Sequence, residues 1–142
     1  MGPRVITYTD YERLMLMLAR DVQDHIVPPD AMHRLYLILE TSCKKEPEEI
    51  HVNTITMNSS FLIRSIQTGI YKERTLVYPD KSFKSEPLEY VNIYDPLGLS
   101  VLGYRQNDII DFYKIAKNKK PDDRFLIEKV LFQPEAMRFF NL

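Results

Sequence analysis

Cysteine is almost absent from this chain of 142 residues, with Cys43 the one example. An intramolecular disulfide is therefore excluded, and a reducing compartment suits the composition. Glycine occurs four times, too few and too scattered for a loop that cradles phosphates. An excess of one charge sign is also missing: 19 Lys and Arg against 20 Asp and Glu give a formal net charge of −1. That balance removes the global electrostatic case for nucleic-acid binding. The basic spots at Lys44-Lys45 and Lys117-Asn-Lys-Lys120 read as solvated loop ends. No apolar run approaches the roughly 20 residues a membrane-spanning helix needs. The first residues lack the basic segment and apolar stretch of a secretory leader. A cytoplasmic protein with no membrane partner is expected. With 44% hydrophobic and 27% charged residues, the chain has the composition of one globular domain, or of one with a small appendage.

What is present begins with helices. Thr9-Asp-Tyr-Glu12 has the form of a capping box. It opens an amphipathic stretch with Tyr11, Leu14, Met15, Leu18 and Val22 on one face. Val27-Pro28-Pro29 stops this helix near His25 and lets a second one start at Pro29 or Asp30. The second stripe is Met32, Leu35, Tyr36, Leu39 and Cys43. Two such stripes joined by a few residues make an antiparallel hairpin of about 15 residues per arm, roughly 22 Å long. Leu16, Met17, Leu37 and Ile38 lie off the stripes. They are expected to pack on the rest of the chain or on a second copy, which leaves a homodimer open.

After a polar connector over Lys44 to Glu49 the pattern changes to strands: Val52 to Met57, Phe61 to Ile66, Ile70 to Tyr78, Tyr90 to Tyr94, Ile109 to Ile115 and Arg124 to Phe132. Gln67-Thr-Gly69 and Asn118 to Asp123 read as turns, and Lys81 to Pro87 as a loop. Asp95-Pro-Leu-Gly98 feeds a short helix through Leu102 that Gly103 can close in a left-handed conformation. The expected fold class is α+β. A short helical hairpin over 1–46 precedes an antiparallel sheet of about six strands with one short helix over 47–142.

Chemistry-bearing residues are sparse. His25, His33 and His51 show no ligand spacing, so no metal site is expected. Ser59-Ser60 has no nucleophile elbow, and the strand aromatics read as core. Neither a cofactor nor a catalytic residue is expected, and the protein does not read as an enzyme.

Four phrases carry a resemblance: Thr54-Ile-Thr-Met-Asn58-Ser, Arg74-Thr-Leu-Val-Tyr78-Pro79, Asp95-Pro-Leu-Gly98-Leu-Ser-Val-Leu-Gly103-Tyr-Arg-Gln-Asn107-Asp108, and Leu131-Phe-Gln-Pro134-Glu135. Together they resemble the C-terminal domain of the Gre transcription elongation factors. The likeness is closer still to the shortened regulators of nucleoside diphosphate kinase in that superfamily. It implies a curved antiparallel sheet like that of the FK506-binding proteins, docking on the rim of the secondary channel of bacterial RNA polymerase. Any association with DNA would run through the polymerase. By that likeness Asp95, Pro96, Gly98, Gly103 and Asp108 belong to the docking element. The family's glycine before the aspartate is replaced here by Asn107, the next-best residue for a positive φ.

The resemblance also implies that the hairpin enters the channel. Gre factors carry two tip carboxylates that help hold a catalytic Mg²⁺, a hard ion served by clustered oxygen ligands. Asp21, Asp24 and Asp30 stand near this tip without that pairing. Asp24 and Asp30 are the expected polymerase contacts, and Asp30 also suits the first turn of a helix. The implied function is a polymerase-binding regulator without cleavage stimulation. A Gre-like cleavage factor or a regulator of the kinase through protein contact are the alternatives.

Overall fold

Thr7, rather than Thr9, opens the first helix of the computed structural model, which describes residues 2–79, 89–111 and 124–140. The Thr7 hydroxyl accepts the Asp10 amide hydrogen at 3.0 Å, so the expected capping box at Thr9 and Glu12 lies inside the helix. Strand β1 (Val5–Thr7) runs straight into α1 (Tyr8–Asp24). His25 ends α1 with φ 56°, donating its amide hydrogen to Asp21 O. Helix α2 (Pro29–Thr41) starts on the expected proline. Cys43, placed on the apolar stripe by its spacing, instead begins the short strand β2 (Cys43–Lys45) and is exposed. The expected polar connector thus starts as a strand, because β1 pairs with β2 in parallel and closes the base of the hairpin. Three residues are too few to show periodicity in sequence.

The main sheet contains β3 (Ser60–Ser65), β4 (Tyr71–Val77), β5 (Tyr90–Asn92), β6 (Ile109–Asp111) and β7 (Arg124–Phe132), in the order β5-β4-β3-β7-β6. Most neighbours are antiparallel, but β4 and β5 are parallel, which corrects the expected all-antiparallel sheet to a mixed one. The stretch of sequence between Val77 and Tyr90 has the length that a parallel neighbour requires. The expected loop over 81–87, the strand beyond 111 and the turn over 118–123 lie outside the described residues.

The expected strand over Val52 to Met57 is a loop. Its backbone partners explain why: Ile55 N–H donates to Tyr104 O, Thr56 N–H to the Ser59 hydroxyl, and Met57 N–H to the Asp10 carboxyl. At Thr56 and Met57, side chains take the bonds that a neighbouring strand would have supplied. The ladder is reduced to one bridge, Thr54 to Arg105.

One core joins hairpin and sheet. Leu14 and Leu18 of α1 and Leu35 and Leu39 of α2 pack with Phe61, Ile63, Leu76, Leu99 and Leu102. Of the four residues off the stripes, Met17 and Ile38 are buried in this core, while Leu16 (74%) and Leu37 (46%) stay exposed. Arg4 secures the other side: its guanidinium donates to the Leu99 and Leu102 carbonyls at 2.6 and 3.0 Å. These are the end of α3 (Pro96–Val101), where a cation suits the unpaired carbonyls.

Helix α3 lies so close to β5 that Gly98 has no room for a side chain. A Cβ there would meet Asn92 O at 2.2 Å. Gly98→Ala gains up to about 1 kcal/mol of helix propensity but must push backbone apart, a cost of about 1–3 kcal/mol or more. Urea unfolding is expected to show net destabilisation; an unchanged midpoint would disprove this packing.

Candidate functional site

A cleft of about 940 Å³ opens between the hairpin tip and the start of α3, lined by residues including Asp24, Ile26, Asp30, Tyr94, Asp95 and Pro96. The tip and the α3 phrase lie far apart in sequence, and the fold brings them to one place. Its wall is largely apolar, with Val27, Pro28, Ala31 and Leu99 between the charges.

The tip carboxyls differ in their engagement. Asp30, in the first turn of α2, accepts from Arg34 Nε at 3.0 Å, an i,i+4 pair whose carboxyl is 61% exposed. Such a pair contributes about 0.3–0.5 kcal/mol. Asp21 is better enclosed. It accepts the Tyr94 hydroxyl at 2.6 Å and lies 3.4 Å from Arg20 Nε. Burial, then the bond to Asp21, push the Tyr94 hydroxyl well above its ordinary titration range, so Tyr94 stays a donor at all physiological pH. Asp24 is exposed at the end of α1.

Across the cleft, Asp95 occupies the N-cap of α3 without a side-chain capping bond, and Pro96 follows at the first helical position. Partial burial raises the Asp95 carboxyl above the usual range. The other expected docking residues have backbone tasks away from this cleft. Gly98 gives α3 its close approach to β5. Gly103 turns with φ 85°, and its amide and carbonyl hold Ile55 and Val5. Asp108 accepts the Arg105 amide hydrogen at 2.8 Å, closing the turn in which Asn107 adopts φ 78°.

A second constellation escaped the sequence reading. Asp10 on α1 is buried and accepts the Met57 amide hydrogen at 3.0 Å. The adjacent Thr56 hydroxyl donates to Glu135 at 2.7 Å. Phrases Thr54 to Ser59 and Leu131 to Glu135 therefore meet, and the shared signal was that both belong to the resemblance. Asp10 itself looks like an ordinary first-turn acid. Among the described residues no three His, Cys, Asp or Glu side chains are grouped to hold a metal ion, and no helix is long and apolar enough to cross a membrane.

Hairpin, mixed sheet and tucked-in α3 define the class: the fold is that of a Gre-type factor. The solved prokaryotic transcription elongation factor GreA/GreB from Nitrosomonas europaea superposes with a TM-score of 0.70 at 27% identity, covering 93% of this chain and all of that one. Over 106 residues the chain is 30% identical to the regulator of nucleoside diphosphate kinase of Escherichia coli K12, spanning 75% of this chain and 74% of that protein. The Shigella flexneri regulator matches to the same extent. No protein-family model matches the chain. The chain belongs to the Gre superfamily, alongside the regulators of nucleoside diphosphate kinase.

The Tyr94–Asp21 bond ties the end of α1 to the segment between β5 and α3. Tyr94→Phe, which removes only the hydroxyl, is expected to cost about 1.5–3 kcal/mol in urea unfolding, as for a hydrogen bond to a charged group. A loss below about 0.5 kcal/mol would mean the tip is held by packing alone.

Proposed function

We propose that this protein is a transcription regulator that binds bacterial RNA polymerase at the secondary channel and acts by occupancy, without stimulating transcript cleavage. Kinship with the Gre-type factor supports the partner. The single observation that carries the reading is the cleft in which tip residues Asp24 and Asp30 face Asp95 and Pro96. One rigid surface then serves both the part that enters the channel and the part that docks outside it.

Two features support occupancy over chemistry. Helix α1 has 17 residues and α2 has 13, so the arms reach only about 25 and 20 Å at 1.5 Å per residue. Two of the three tip carboxyls are also engaged by neighbouring side chains, while Asp24 is exposed. Asp21 is held by Tyr94 and Arg20, and Asp30 by Arg34. A Mg²⁺ site needs carboxylate oxygens turned toward one point.

Binding of the purified chain to core polymerase, with a Gre factor as competitor, is the direct test. Displacement by the competitor is expected, and Asp95→Ala is expected to weaken binding about tenfold, the effect of one interface residue worth roughly 1.4 kcal/mol. A stalled-complex assay should show no added cleavage, with Asp30→Asn behaving as wild type. No binding at micromolar concentration would end the polymerase reading. A second reading is favoured by the name of the curated relatives, regulator of nucleoside diphosphate kinase: direct contact with that kinase. Co-purification of the kinase in the absence of polymerase would establish it instead.

A further inference from the structure

Two carboxyls from opposite ends of the chain are held by consecutive loop residues. Asp10 Oδ2 accepts the Met57 amide hydrogen at 3.0 Å, and Glu135 Oε1 accepts the Thr56 hydroxyl at 2.7 Å. Asp10 is 3% exposed and is the point at which the first turn of α1 is hydrogen-bonded to the loop ahead of β3. The groups facing it come from every element packed around it. Arg13 lies one turn along α1, Tyr78 follows β4, Glu135 belongs to the C-terminal turn, and the Thr7 hydroxyl caps the same helix. Arg13 brings positive charge to the cluster, while Glu135 brings a second negative one.

We propose that the Asp10–Glu135 pair is a proton-dependent clamp at the base of the hairpin: with Asp10 protonated the hairpin is held on the sheet, and loss of the proton loosens it. An ionised carboxylate here would be buried beside a like charge, and both circumstances disfavour the charged form. A neutral carboxyl keeps the bond, because its carbonyl oxygen still accepts from Met57. Burial pushes the Asp10 carboxyl up to about 7, with the Met57 amide opposing the shift and Glu135 adding to it. Burial raises Glu135 as well. The folded value lies above that of the unfolded chain, so the folded state binds the extra proton. The stabilisation is complete below about pH 4 and is lost as pH rises to about 7. This concerns the chain by itself and stands apart from the polymerase reading.

The test uses the whole chain, labelled for carbon and proton NMR. The Asp10 carboxyl resonance is expected to titrate near pH 7, and the opening constant from Met57 amide exchange to rise more than tenfold between pH 5 and 7. Asp10→Asn keeps an acceptor and cannot titrate, so its opening should change less than about threefold over that range. Glu135→Gln keeps the Thr56 bond and removes the charge, so it should lower the Asp10 midpoint. An Asp10 midpoint below 5, an Asn variant with the wild-type pH slope, or a midpoint unmoved by Glu135→Gln would each overturn the proposal. Should the Asn variant fail to fold, the wild-type titration decides alone.

Discussion

The Asp10 carboxyl takes the Met57 amide hydrogen inside the protein, and much of the architecture hangs on that bond. It fixes the start of α1 against the loop that leads into β3, across 47 positions of sequence. That loop forms no continuous strand because two consecutive donors are claimed by side chains. Met57 is claimed by Asp10 and Thr56 by Ser59. A buried carboxyl without a partner would cost several kcal/mol, so packing that places Asp10 there also dictates where Met57 must be. Thr56 and Glu135 extend the constraint to the C-terminal turn.

From this anchor the hairpin lies down on the sheet instead of standing free. Met17 and Ile38, surplus to a two-helix interface, complete the common core with Leu99 and Leu102 of the α3 region. Arg4 ties the chain ahead of α1 to the carbonyls at the end of α3, and Tyr94 holds the far end of α1 through Asp21. Base and tip are thus both fastened. The cleft between tip and α3 is a consequence of that double attachment. The tether also bears on the chemistry of the tip, because the Asp21 carboxyl that accepts from Tyr94 has fewer oxygen lone pairs for an ion, as does Asp30 beside Arg34 within α2.

Much of the fold was legible in the residues. Pro29 starts α2, Gly103 without a Cβ and Asn107 with its short polar side chain adopt positive φ, and Arg124 to Phe132 is the last strand. These features rest on local rules: ring closure, Cβ sterics and alternation. The misreadings share a cause. Two threonines two residues apart, Thr7 and Thr9, can each cap a helix, and burial of Thr7 decided between them. Val52 to Met57 has strand-like composition, yet composition does not say whether a neighbouring strand will be there to bond with it. Cys43 had the spacing of the apolar stripe, but α2 had already ended at Thr41.

The sequence by itself determined the helical hairpin, the α+β class and the Gre kinship, because periodicity, turn chemistry and motif spacing are written within short stretches of chain. Only the tertiary structure decided that β5 lies parallel to β4, that Asp10 is buried, and that tip and α3 share a cleft. Those outcomes depend on which distant groups exclude water together, and burial and hydrogen-bond partnership belong to the packed chain as a whole.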